Sequence, residues 1–284
     1  MIPAGFTYHR PTDIPSALKI LNEYGDSARI VAGGHSLVPM MKLRMTAIDH
    51  LVDLKAVESL RGISIAGREI RIGAMVTQAE ILGHSGLRAA APILAETAQQ
   101  IADPQVRNLG TVGGNVANGD PGNDMPALMQ CLDATFELQG PGGTREVAAR
   151  GFYESAYVTA RSDDEILLAV RFAAPEGGTA YLKQKRKIGD YATAAAAVIV
   201  TKSGGTCTAA SIAMTNLADT PVLAEQAAAA LVGTACDAGA VGAAVDRMQE
   251  VISPVEDNRG PVDFKRHVAG AILTQAVATA WSRA

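Results

Sequence analysis

Two stretches of this sequence set a glycine pair beside small polar residues, an arrangement that can receive an anion. In Val31-Ala-Gly-Gly-His-Ser-Leu-Val38 an apolar run breaks at Gly33 and Gly34, then reaches Ser36 at the predicted start of a helix. Backbone without Cβ atoms can close on a phosphate, and the first N–H groups of a helix, with a serine hydroxyl, supply donors. The plainer reading is a tight strand-to-helix turn in which Ser36 is only the N-cap. Thr111-Val-Gly-Gly-Asn-Val-Ala-Asn-Gly-Asp-Pro-Gly-Asn-Asp124 repeats the theme. One glycine-rich loop is weak evidence, whereas two suit the two phosphates of a diphosphate. Asp124 stands just before a predicted helix, so it either caps that helix or accepts hydrogen bonds from sugar-type hydroxyls. Neither stretch spells Gly-x-Gly-x-x-Gly and no Walker A run is present, so neither a Rossmann dinucleotide site nor a P-loop is supported.

A third cluster is Lys183-Gln-Lys-Arg-Lys-Ile-Gly-Asp-Tyr-Ala192. Charge runs of this kind usually mark a solvated edge strand. Alternatively, a lysine here faces a phosphate or an electron-rich ring, and Tyr191 stacks on an aromatic system. Gly34-His-Ser-Leu-Val38 nearly spells the Gly-x-Ser-x-Gly elbow of a serine hydrolase, but Val38 occupies the place of the second glycine, which argues against Ser36 as a nucleophile. A third reading is a module that binds a diphosphate ligand without redox turnover.

Composition narrows the choice. The chain has 284 residues, 48% hydrophobic and 19% charged, enough for one substantial core or two modest ones. Twenty-five basic residues against 29 acidic give a net charge of -4, with no basic run to serve as a nucleic-acid platform. Mean hydropathy is +0.12, yet the longest uncharged apolar run, Ala192 to Val200, is too short for a transmembrane segment. The start lacks the basic-then-apolar layout of a signal peptide, so the cytoplasm is expected. Three scattered cysteines and five scattered histidines hold neither a four-cysteine iron–sulfur cluster nor a structural zinc. Redox chemistry here would need an organic cofactor.

The elements that must position these residues can be read from periodicity. A helix is predicted from Ile14, stopped by Gly25 and preceded by Asp13. Ala28–Val31 and Ile48–Leu54 read as strands, Ser36–Arg44 as a helical turn, and 63–65 with 70–72 as a hairpin around Gly67. Helices are predicted over Thr77–Leu82, Pro92–Ile101 and Met125–Leu132, and strands over Thr135–Leu138, Thr144–Val147 and Glu165–Phe172. Residues 103–124 show no period at all. Composition shifts at Pro175-Glu-Gly-Gly178, the expected domain boundary. Beyond it come strands over Ala194–Thr201 and Cys207–Thr215, then helices over Val222–Leu231, Asp237–Val251 and Phe264–Trp281, an α+β layer arrangement.

Taken together, Ala32-Gly-Gly-His-Ser36 with Pro39-Met-Met-Lys-Leu-Arg44, Thr111-Val-Gly-Gly-Asn115 with Gly119-Asp-Pro-Gly-Asn-Asp124, Lys187-Ile-Gly-Asp-Tyr-Ala192 and Asp257-Asn-Arg-Gly260 resemble the FAD-binding medium subunits of molybdenum hydroxylases, the xanthine dehydrogenase family. Within that family the likeness is greatest to the aerobic carbon monoxide dehydrogenase type; medium subunits of xanthine, nicotine or aldehyde type are the alternative. The resemblance implies an FAD domain of the vanillyl-alcohol-oxidase (PCMH) type over 1–176, in α/β subdomains of about 1–55 and 56–176. A C-terminal antiparallel sheet with helices follows over 177–284. It further implies non-covalent FAD, whose diphosphate lies against Ala32, Gly33, Gly34, His35, Ser36 and Leu37 and against Thr111, Val112, Gly113, Gly114 and Asn115. Asp124 would bind ribityl or nearby hydroxyls, with Lys185 (or Lys183, since the local register is open) and Tyr191 near the isoalloxazine. No catalytic or metal-ligating residue is expected on this chain. The molybdenum cofactor and [2Fe-2S] clusters would sit on a large and a small partner subunit, in a dimer of heterotrimers. Electrons would leave to an acceptor such as a quinone, with the complex resting peripherally on the inner face of the membrane.

Overall fold

Asp13 opens the first helix by accepting a hydrogen bond from Ser16 N at 2.8 Å, and Gly25, at a φ of 49°, closes it. The computed structural model, which describes residues 2–284, places this helix, Ile14–Tyr24, on a small parallel sheet. The strands run in the spatial order Thr7–His9, His50–Asp53, Ala28–Val31. Ile14, Ala17 and Leu21 recur at helical spacing and are the buried face, meeting Ala28 and Val52 from the sheet. The parallel strands send their C-terminal ends, and therefore the Gly33–Gly34 turn, to one edge.

A five-stranded antiparallel sheet follows, in the order Ile63–Ala66, Glu69–Gly73, Ile166–Ala173, Thr135–Gly140, Gly143–Ala148. Gly67, at a φ of 60°, makes the hairpin turn. Ile70, Ile72, Phe136 and Val170 share a core with Ile93 and Leu94 of helix Pro92–Gln100 and with Leu128 of helix Asp124–Cys131. Residues 178–223 form a third, four-stranded antiparallel sheet, Gly178–Gln184, Ala194–Ser203, Thr206–Thr215, Val222–Leu223. Its second strand is buried on both faces. Ala195 and Ala197 enter the core of the preceding sheet, while Ala194, Ala196, Val198 and Val200 enter a second core with Leu273, Val277 and Ala280 of helix Val262–Arg283. Alternation along a strand explains the split, and alanine allows neighbours to approach closely on either side.

Several expectations need correction. The stretch 103–124 is not devoid of regular structure: it contains two short helices, Pro104–Arg107 and Val112–Ala117. Four or six residues are too few to display an apolar period, and caps set them instead. Asp103 Oδ1 accepts from Val106 N at 2.9 Å and Thr111 Oγ1 from Gly114 N at 3.0 Å. The predicted helix from Val222 starts only at Glu225, because Val222 and Leu223 add an edge strand to the sheet. Of the basic segment, only Lys183 and Gln184 belong to an edge strand; Lys185 onward is loop. A helix over Ser85–Ala90 and the Thr7–His9 strand carry too few apolar residues to be seen in the sequence.

Candidate FAD-binding cleft

The strand Ala28–Val31 ends at the edge of its sheet, and the chain reverses through Gly34, at a φ of 74°, into helix Leu37–Lys42. A positive φ favours glycine at that position. The first i→i−4 bond of this helix runs from Val38 N to Gly34 O at 3.0 Å, so the N–H groups of Gly34, His35, Ser36 and Leu37 precede the ladder and donate to no backbone carbonyl. Ser36 holds the N-cap position but makes no side-chain cap bond. Gly33 serves a different purpose: a Cβ there would lie 2.2 Å from Leu109 O, on the segment that leads into the second glycine pair. The two loops are in contact.

The second loop is built the other way. Val112 N donates to Val76 O and Gly113 N to Ala74 O, both at 2.9 Å; Gly114 N donates to Thr111 Oγ1 and Asn115 N to Thr111 O, both at 3.0 Å. The backbone donors of Val112 to Asn115 are therefore spent on the protein, and among its side chains the loop can offer a ligand the Thr111 hydroxyl and the Asn115 carboxamide. The latter's Oδ1 accepts from Met125 N at 3.3 Å, which turns its NH₂ elsewhere. Gly113 is pressed on Ala74, where a Cβ would meet Ala74 Cβ at 2.5 Å, and a Cβ on Gly114 would lie 2.9 Å from Thr111 Oγ1 and 3.5 Å from Ala32 Cβ of the first loop.

Between these loops and the C-terminal sheet lies a cleft of about 470 Å³. Ala32, Gly33, Gly34, His35, Ser36, Leu37, Thr111, Gly113, Gly114, Asn115, Asp124, Lys183 and Tyr191 all line it. Two expected residues do not. Val112 is fully buried beneath the loop. Lys185 is held at Gln100 Oε1, 2.8 Å away, and burial pulls its ammonium below the usual lysine range. Tyr181 and Lys183, two residues apart, point to one face of the strand and both reach Asp124, whereas Lys185 lies past the strand's end.

Asp124 is the first residue of its helix, with Asn123 at the N-cap position, so its carboxylate does not cap. Oδ1 accepts from Tyr181 Oη at 2.5 Å and Oδ2 from Lys183 Nζ at 2.8 Å. The side chains of Lys183 and Asp124 are 1% and 5% exposed, a buried ion pair in the cleft wall. Burial, with the Asp124 charge beside it, holds the Tyr181 hydroxyl well above the usual tyrosine range, so it stays a donor. Tyr191, 40% exposed, lies against Gly122, and the Arg259 guanidinium sits 5.2 Å from its ring centroid. Asp190 fixes this corner by accepting from Tyr191 N at 2.9 Å and from Arg186 Nε at 2.9 Å. Burial pushes the Tyr191 hydroxyl up to about 12, with help from Asp120 and Tyr157.

The structure adds residues that sequence reading passed over. Gln78, Asn118 and Arg161 line the cleft, and the amide groups of Gln78 and Asn118 include buried atoms with no partner. No short motif announces them. Gln78 is simply the first residue of a capped helix, and only the fold turns it toward the glycine loops.

Residues 4–175 match the model of the FAD binding domain in molybdopterin dehydrogenase, and residues 179–280 that of the CO dehydrogenase flavoprotein C-terminal domain. The chain belongs to the FAD-binding subunits of the molybdopterin dehydrogenases. Among these flavoproteins it is 52% identical to the carbon monoxide dehydrogenase medium chain of Afipia carboxidovorans, covering 100% of this chain and 99% of that one. The glyceraldehyde dehydrogenase medium chain of Sulfolobus acidocaldarius is 30% identical, over 97% and 98% of the two chains. A crystal structure of the Cu,Mo-CO dehydrogenase in its cyanide-inactivated form contains a chain of 52% identity that superimposes with a TM-score of 0.98, covering 100% of both chains. FAD is riboflavin and adenosine joined by a diphosphate, and the cleft has matching parts: free N–H groups at one loop, a hydroxyl and an amide at the other, and apolar walls from Ile30, Leu54, Ile101 and Leu167. The unpartnered Gln78 amide is a further sign that the cleft is completed by a polar ligand.

Proposed function

We propose that this chain is the flavin subunit of a carbon monoxide dehydrogenase complex. FAD would be held non-covalently, its diphosphate against Ala32 to Leu37 and against Thr111, Gly113, Gly114 and Asn115. Lys183 and Asp124 would meet its hydroxyls or the electron-rich edge of its ring, and Tyr191 would pack beside that ring. When bound, the flavin supplies both one- and two-electron redox chemistry, which suits a junction between iron–sulfur clusters and an external acceptor. The chain's own part is positioning. The glycine loops anchor the cofactor, the Asp124–Lys183 pair presents a fixed cation in the cleft wall, and Arg259 with Asp190 holds Tyr191 in place.

The overall reaction would be oxidation of carbon monoxide with water to carbon dioxide, releasing two protons and two electrons, at a molybdenum site on a large subunit. A small subunit would carry the electrons through [2Fe-2S] clusters. Three cysteines in the whole sequence are too few for a four-cysteine cluster here, which supports placing the clusters on a partner. We further propose a dimer of heterotrimers that delivers electrons to a quinone at the inner face of the membrane. No helix among the described residues is long and apolar enough to cross a membrane, so such association would be peripheral.

The observation that carries the substrate reading is the gap between 52% identity to a carbon monoxide dehydrogenase medium chain and 30% to a glyceraldehyde one, each over nearly the whole chain. The test is the purified complex under anaerobic carbon monoxide. Flavin absorbance is expected to bleach and to recover with a quinone. Bleaching by an aldehyde or a purine but not by carbon monoxide would transfer the chain to a sister dehydrogenase.

A further inference from the structure

We propose that Gln78 is a further ligand to the FAD diphosphate, acting through its side-chain carboxamide; this assignment rests on the flavin reading above. Gln78 opens the helix Gln78–Gly83, and its backbone N–H donates to Gly110 O at 2.9 Å. Thr77, just before it, forms a bridge to Thr111. Gly33 of the first loop presses on Leu109 O and on the Cα of Gly110. Gln78 therefore stands at the seam where the two glycine loops meet, in the wall of the cleft.

Its side chain is 1% exposed, and neither Oε1 nor Nε2 has a hydrogen-bond partner. Folded proteins pair their buried polar groups almost without exception, because an amide withdrawn from water and left unpaired opposes folding. A leucine of similar size would carry no such cost. The second loop has already spent the N–H groups of Val112 to Asn115 on Val76, Ala74 and Thr111, so side chains are the main source of further donors on that side of the cleft. A neutral NH₂ at the seam meets that need, and a phosphate oxygen is the acceptor that a diphosphate brings there.

The test uses the assembled complex stripped of flavin, with FAD binding followed by quenching of flavin fluorescence and ADP binding by competition. Gln78→Leu is expected to weaken FAD and ADP alike, by about ten- to a hundred-fold, the range for losing a hydrogen bond to a charged oxygen. The thermal midpoint of the flavin-free form should stay the same or rise. Gln78→Glu should weaken both ligands further, since a carboxylate then faces the phosphate. Unchanged FAD affinity in Gln78→Leu, as a trapped water on the amide would give, overturns the assignment. So does weakened FAD with ADP untouched, which would put the amide away from the diphosphate. A lower flavin-free midpoint in Gln78→Leu would show that the amide has partners within the protein and also overturns it. Wild-type protein that binds neither FAD nor ADP would sink the flavin reading, and this assignment with it.

Discussion

The two glycine pairs look alike in sequence and are built oppositely. At Gly33–Gly34 the backbone leaves a strand, reverses, and presents N–H groups ahead of the first helical bond. At Gly113–Gly114 every N–H from Val112 to Asn115 is already bonded, and Thr111 and Asn115 face the cleft with side chains. Gly33 and Gly113 are glycine because protein backbone or a neighbouring Cβ lies where their own Cβ would be, while Gly34 is glycine because of its positive φ. The same dipeptide thus answers two constraints, close packing and a positive φ, and neither by itself calls for a ligand. With one loop giving backbone and the other side chains, fixed positive charge must come from elsewhere, and the buried Lys183 is placed to give it.

The largest expected effect tests that last point. Lys183→Met leaves the Asp124 carboxylate buried with Tyr181 as its remaining side-chain partner, which should cost about 3–5 kcal/mol in denaturant unfolding. A loss below 1 kcal/mol would mean that the pair is solvated and not part of a dry wall. Next come Gly33→Ala and Gly113→Ala, each expected to cost about 1–3 kcal/mol by overpacking, whether or not flavin is present. If either loses FAD with an unchanged flavin-free midpoint, that glycine serves the ligand and the contrast drawn between the loops fails. Removing the Thr111 cap in Thr111→Ala should cost about 1 kcal/mol, largely restored by serine, whereas Ser36→Ala should stay within about 0.5 kcal/mol because its hydroxyl caps nothing. Equal costs at both positions would erase the distinction between a capped and an open loop.

The smallest effect is electrostatic. Tyr191 ionises near 12 in the folded chain, against about 10 for an ordinary tyrosine. The unfolded chain thus loses this proton first, so the contribution of Tyr191 is complete below about pH 10 and is lost as pH climbs toward 12. Absorbance at the tyrosinate band should show a step near 12 that is missing in Tyr191→Phe, while the buried Tyr153 and Tyr181 titrate later still. A Tyr191 that titrates with the exposed tyrosines would remove the packed corner at Asp190 and Arg259.

Helix existence was legible wherever an apolar stripe was long enough to repeat, as at Ile14, Ala17 and Leu21, and wherever a cap stood in front of it, as with Asp13. It was illegible over 103–124, where the helices are shorter than two turns and are set by Asp103 and Thr111. The lysine register was open for the opposite reason: Lys183 and Lys185 are both basic and both adjacent to the loop. Two residues apart, they share one face of any strand, so alternation cannot separate them; the strand's end at Gln184 leaves Lys183 beside Asp124 and puts Lys185 in the loop.

By itself, the sequence determined most of the longer helices and strands, that two glycine pairs stand beside small polar residues, and that the chain lacks ligands for a four-cysteine cluster. These properties depend on local periodicity, on residue type and on counting, all of which survive without a fold. Only the tertiary structure decided that Gly33 touches Leu109, that Asp124 pairs with Lys183 across 59 positions of chain, and that Gln78 is buried without a partner at the seam. Each of these depends on what a distant segment brings to within a few ångströms, and hydrogen-bond satisfaction cannot be computed until both partners have been placed.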